Sequence, residues 1–69
     1  MDQQLRESPL WPILVETTHS LPLFKQHKNY IKDNLLPKTP SITPEEISER
    51  LAIPLGEALV IIEELTEKS

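Results

Sequence analysis

Seven prolines, at positions 9, 12, 22, 37, 40, 44 and 54, restrict this 69-residue chain more than any other feature. Proline is tolerated in the first turn of a helix, but in the interior it removes a hydrogen bond and clashes with the preceding turn. Each one therefore marks where a helix can begin or must stop, and only short helices fit between them. The single glycine, Gly56, excludes Gly-rich phosphate loops of the dinucleotide and Walker types. The absence of cysteine excludes disulfides, Cys-ligated zinc, iron–sulfur clusters and thiol catalysis. Apolar residues make up 38% of the chain, enough for one small core. A domain of this size buries only about 60% of the surface of its unfolded chain, so each core side chain counts. No apolar run approaches the roughly 18 residues of a membrane span, and no signal-peptide pattern opens the chain. The expectation is a soluble, cytoplasmic module with no membrane partner.

The clearest element starts at Thr43. Thr43-Pro44-Glu45-Glu46 reads as an N-cap, a proline at the first helical position and a glutamate at the third, which is a capping box. Ile42 and Ile47 are placed for a hydrophobic staple across it. Ile47 and Leu51 share one face while Glu45, Glu49 and Arg50 point to water, predicting a helix over 44–51. Pro54 disfavours the α conformation at Ile53, so the chain breaks after Ala52. Ala58, Ile61, Ile62 and Leu65 then recur at i, i+3, i+4 and i+7, with Leu55 and Leu59 alongside, predicting an amphipathic helix over 55–67. Glu57, Glu63, Glu64 and Glu67 are expected on its solvent side. Two short helices joined by so tight a turn make a helix-turn-helix unit.

Upstream, Phe24, Ile31 and Leu35 lie nearly in line along a third helix over 23–36, which Pro37 stops. His27 and Tyr30 border that line, and Lys25, Lys28 and Lys32 form a second stripe. Residues 37–41 are a tight polar connection. The first twenty residues allow two readings. Ser8-Pro9 caps a helix through Leu10, Trp11, Ile13 and Leu14 with Pro12 in its first turn, or Ile13-Leu14-Val15 is a short strand that could pair only with Ser41-Ile42-Thr43. The helix is the favoured one, because a strand needs partners. Residues 1–7 are expected to fray.

Residues 42–58, Ile-Thr-Pro-Glu-Glu-Ile-Ser-Glu-Arg-Leu-Ala-Ile-Pro-Leu-Gly-Glu-Ala, resemble the helix-turn-helix of the winged-helix superfamily. The resemblance extends through residue 65 and takes in residues 24–36 as the first helix of a tri-helical core, but it does not reach residues 1–20. It implies that Ile47 and Leu51 pack on the preceding helix, that small Ser48 allows a close crossing, and that Ile53 plugs the corner. Three departures stand out. Ala52 replaces the usual turn glycine, no β-hairpin wing is expected before Ser69, and glutamates stand where a groove-reading helix presents Arg, Lys, Asn or Gln. The expected architecture is all-α: a helix-turn-helix domain over 21–69, with residues 1–20 packed on it as an additional, helical segment.

Charge is unevenly divided. Residues 1–40 carry a net +1 and residues 41–69 a net −5, giving −4 overall. The resemblance implies a nucleic-acid-associated, transcription-type regulator, whose phosphate contacts would come from Lys25, Lys28, Lys32, Lys38 and Arg50. The bland reading of these lysines is a solvated face whose stems cover apolar surface. The alternative function is a protein-interaction or homodimerisation module using Trp11 or the acidic side chains Glu57, Glu63, Glu64 and Glu67. Those glutamates are equally explained as a solubilising exterior. Trp11, with Leu10, Ile13 and Leu14, either covers the open side of the core or forms a patch sealed by a partner. Of Glu16, His19 and His27 only the first two would share a helix face, at i, i+3, and zinc needs three or four converging ligands, so no metal or other cofactor is expected. No serine, histidine or carboxylate sits in nucleophile or acid–base spacing, so neither catalysis nor a small-molecule substrate is expected.

Overall fold

The computed structural model describes residues 7–66. Among them are four α-helices and no strand: α1 (Trp11–His19), α2 (Phe24–Tyr30), α3 (Pro44–Leu51) and α4 (Leu55–Thr66). The expected fraying of residues 1–7 falls, apart from Glu7, outside the described residues.

α3 begins as its sequence dictates. The Thr43 hydroxyl oxygen accepts from the Glu46 N–H at 3.2 Å, and the Glu46 carboxylate accepts from the Thr43 N–H at 3.1 Å. Two otherwise orphaned amides are thereby satisfied. Ile42 and Ile47, on either side of the cap, are both buried. The helix ends at Ala52, which adopts the left-handed conformation (φ 56°, ψ 44°) that favours glycine. Ser48 then closes the corner in both directions. Its carbonyl accepts from the Ile53 N–H at 3.2 Å, and its hydroxyl donates to the Ile53 carbonyl at 2.6 Å. Ile53 is held in the core by this pair of bonds. The expected role of Ser48 was small size alone, and its hydroxyl does more than that.

α4 is the central helix. It packs closely on α3 and on α1, and Glu57, Ala58, Val60, Ile61, Ile62 and Glu63 are all buried. This corrects the expectation that Glu57 and Glu63 lie on a solvent face. Gly56 faces α1, where a side chain would meet the Leu14 Cδ1 at 3.1 Å. The only glycine thus permits the close approach of α1 and α4, and the approach shuts water out. The amphipathic pattern of α4 gave no sign of a second covering layer.

Residues 11–19 are helical, which removes the short-strand alternative. Ser8 leads into α1, its hydroxyl accepting from the Leu10 N–H at 3.1 Å, and Pro12 sits in the first turn. Trp11, Leu14 and Val15 pack on the core at i, i+3 and i+4, while Leu10 and Ile13 face outward. The N-terminal apolar cluster therefore divides between the two roles expected of it.

The third expected helix is not uniform. After Tyr30 the backbone widens into a π segment, Ile31–Leu35, closed by the Leu36 N–H donating to the Ile31 carbonyl at 2.9 Å. Pro37 supplies the reason: it has no N–H to continue an α ladder, and its ring would press on the carbonyl four residues back. Five residues of regular α-helix would turn Leu36 about 140° away from Ile31; the wider turn places it one turn above Ile31, toward the core.

Two substitutions test the α3–α4 corner. A left-handed alanine costs about 1–2 kcal/mol, and glycine gives back about 0.5–1 kcal/mol of chain entropy. Ala52→Gly should thus raise stability by about 0.5–1 kcal/mol, seen as a Tm increase of about 4 °C in thermal unfolding followed by circular dichroism. Ser48→Ala leaves the Ile53 carbonyl without its donor and should lower stability by about 1–2 kcal/mol in urea titration.

Candidate interaction groove

α2 is bound to α4 through polar and charged side chains. His27 Nδ1 lies 2.7 Å from a Glu57 carboxylate oxygen, and Lys28 Nζ donates to Glu64 at 2.7 Å. These contacts are one residue apart on α2 but seven apart on α4, so α2 lies across α4 and not along it. An open trough of about 810 Å³ remains between α2, its π continuation and the end of α4.

The trough has an apolar floor of Phe24, Leu36 and Leu65. Its wall is a cluster around Glu64. One Glu64 oxygen accepts from Lys28, and the other lies 2.5 Å from His19 Nε2 at the end of α1. The Phe24 ring leans on the His19 imidazole, with centroids 4.9 Å apart, and the Lys28 ammonium stands 5.9 Å from its centre. Burial pushes the Glu64 pKa upward, but the bonds and charges of Lys28 and His19 outweigh it and hold the carboxyl below its ordinary value of 4.5. The rim carries Lys25, Asn29 and Lys32. Lys25 and Lys32 are exposed and make no hydrogen bond or ion pair among the described residues.

The candidate residues are therefore distributed unevenly. Lys25, Lys28 and Lys32 converge on the trough, as their i, i+3, i+7 spacing suggests. Lys38 and Arg50 are exposed but line neither the trough nor the smaller cleft described below. Trp11 is half-buried against the core. Of the four glutamates, Glu57 and Glu63 are interior, Glu64 is enclosed by Lys28 and His19, and Glu67 lies outside the described residues. An acidic docking face formed by Glu57, Glu63 and Glu64 is thus absent, because α1 and α2 cover that side of α4. His19, Asn29, Leu36 and Leu65 join the site without having been singled out for it. His19 meets a residue 45 positions away, and its only local signal was a place at the end of a helix.

A second, smaller cleft of about 270 Å³ lies over the His27–Glu57 pair, walled by Leu21, Pro22, Leu23 and Pro54. His27 is half-buried, as expected of a residue at the core's border. Among the described residues no three potential metal ligands come together, and no helix is long and apolar enough to cross a membrane. Glu16 is exposed on α1, while His19 and His27 each face a different glutamate.

No protein-family model, curated protein or solved structure matches the chain. The trough is accordingly read from its own chemistry.

The lowered pKa of Glu64 has a signed consequence. A carboxyl with a depressed native pKa contributes stability that is complete above its unfolded value and is lost as pH falls through the native one. Glu64→Gln should therefore cost up to about 1 kcal/mol at neutral pH and flatten the fall in stability below about pH 4.5. Urea titrations of both proteins between neutral and acidic pH measure the difference, which should shrink steadily through the acid range.

Proposed function

We propose that this chain is a protein-interaction module that acts by binding and not by catalysis, and that its binding site is the trough between α2 and α4. The observation that carries the reading is the pairing of an apolar floor with two exposed, unengaged lysines, Lys25 and Lys32, on one rim. Interfaces combine an apolar centre with a polar rim in this way. Both histidines face glutamates across helix junctions, which suits a bracing role better than acid–base chemistry.

We further propose that the domain is of the winged-helix type, with its helix-turn-helix turned to protein binding. What supports this is local: the Thr43–Glu46 capping box, the left-handed Ala52 and the buried Ile53. The transcription-type reading requires α4 to present side chains to a major groove. Burial of Glu57 and Glu63 under the neighbouring helices speaks against that use. One observation favours duplex binding, the exposure of Lys25, Lys32, Lys38 and Arg50. Four cations on a chain of net charge −4 supply little of the phosphate neutralisation that non-specific affinity depends on.

Selection from an unbiased displayed peptide library tests the proposal. Peptides recovered by the full chain should perturb the amide resonances of residues 24–36 and 64–65. Their affinity should drop roughly tenfold or more in the Lys25→Glu, Lys32→Glu double variant and stay unchanged in Lys38→Glu. Peptides that map to another surface, or a labelled duplex bound more tightly than any selected peptide at low salt, would reject it.

A further inference from the structure

The geometry points to an acidic amphipathic helix as the occupant of the trough, its carboxylates on Lys25 and Lys32 and its apolar side chains on Phe24, Leu36 and Leu65. This rests on the interaction reading above and adds the chemistry of the partner.

Charge accounting comes first. Lys28 also lines the trough, but Glu64 neutralises it within hydrogen-bond distance, and the second oxygen of that carboxylate is taken by His19. The cations left for a ligand are Lys25 and Lys32, at the two ends of the stripe. No ion pair among the described residues engages them. A basic site persists on a protein whose net charge is −4, because Glu64 is already engaged and Glu57 and Glu63 are interior; the exposed Asp33, next to Lys32, offsets it only at that end.

Spacing narrows the occupant. Seven residues separate Lys25 from Lys32, about 10 Å along a helix, or two turns. A second helix lying along this stripe presents carboxylates at i and i+7 with the same separation. Between them its i+3 and i+4 side chains point the same way. They would fall opposite Lys28, whose charge is satisfied, and over Phe24, so apolar residues suit those positions. The π segment contributes here: by placing Leu36 above Ile31 it extends the apolar floor past the reach of Phe24. Single π turns recur at functional sites for this kind of displacement.

Magnitudes separate a peptide from a nucleic acid. A duplex carries one charge per about 1.7 Å, and two phosphate contacts give only a shallow salt-dependent attraction. The protein that a duplex would approach is net negative, at −4. A short helix needs to bring only two or three carboxylates within about one Debye length, 8–10 Å, of Lys25 and Lys32, and the exposed acid adjacent to them in the chain is Asp33.

The test titrates the isotope-labelled full chain with three synthetic amphipathic helices of about 14 residues, four turns. They share one leucine face and carry Glu, Gln or Lys on the flanks; a labelled DNA duplex is the fourth probe. The Glu peptide should bind, shifting the amides of residues 24–36 and 64–65. The Gln and Lys peptides should bind roughly tenfold or more weakly. Affinity for the Glu peptide should fall by a similar factor in the Lys25→Glu, Lys32→Glu variant, whose unchanged thermal unfolding shows that it still folds. Equal binding of the Gln peptide at the same amides would overturn the acidic partner and leave the interaction site standing. So would preference for the Lys peptide. A duplex that binds more tightly than the Glu peptide and depends on Lys25 and Lys32, or self-association that occupies the trough first, would overturn this inference. Should neither these helices nor library-selected peptides reach the trough, both the occupant and the site fall.

Discussion

The fold turns on the enclosure of α4. A helix buried on most of its circumference must find a partner for every polar side chain it carries inward, since an isolated buried carboxylate costs many kcal/mol. Glu57 is only 3% exposed, and its counterpart is His27, whose Nδ1 lies 2.7 Å away. This pair fixes where α2 crosses α4. Once His27 is on Glu57, the next residue, Lys28, projects toward the other end of α4 and reaches Glu64. The crossing leaves a wedge of space beyond it, and that wedge is the trough. A buried polar pair of this kind is weak evidence for net stability. Its better-attested role is to specify one arrangement, and here the arrangement specified is the register of α2.

Parts of this were legible because their causes are local. The α3 cap, its proline and the break before Pro54 are interactions among residues three to five apart, and each took the form the spacing implied. The helical reading of residues 11–19 succeeded because a strand there lacked a convincing partner, whereas Pro12 fits the first turn of a helix. The lysine stripe was legible as a candidate phosphate-contacting patch or a solvated face, but not as the edge of a trough, since that depends on Glu64, more than thirty residues later. The misreading of α4 has a definite origin. Its aliphatic stripe described the contact with α3 and said nothing of a second covering helix. Gly56 held that information, as the one residue without a side chain at a helix crossing, and Val60 one turn on is wholly buried. The π segment was missed because Pro37 reads as a full stop, whereas a proline can also deform the turn before it.

The same enclosure reverses the apparent electrostatics. In the linear sequence the second half is the acidic one, at −5, which suggested an acidic surface. Folding withdraws Glu57 and Glu63 into the interior and engages Glu64 between Lys28 and His19. The acids that remain outward on α3 (Glu45, Glu46 and Glu49) sit at the other end of the corner, and Glu46 is engaged in the cap. What the fold exposes next to the apolar floor is therefore Lys25 on α2 and Lys32 on its π continuation, the latter beside Asp33. Net charge counts every residue equally, but a partner at short range responds to those left uncompensated within a Debye length.

A corner of the α3–α4 kind does not by itself determine what the last helix does. If one side of that helix is left open, it is available to enter a groove. Here α1 lies on it so closely that a side chain at Gly56 would press on Leu14, and α2 is pinned across it by His27. The last helix has thereby become the centre of the domain, and α2 is the helix left with an open face beside the trough. The π turn ahead of Pro37 belongs to the same logic. It widens the end of α2, turns Leu36 inward and leaves Lys32 exposed, so that the crossing helix offers an apolar strip edged with positive charge where a regular helix would have turned Leu36 aside.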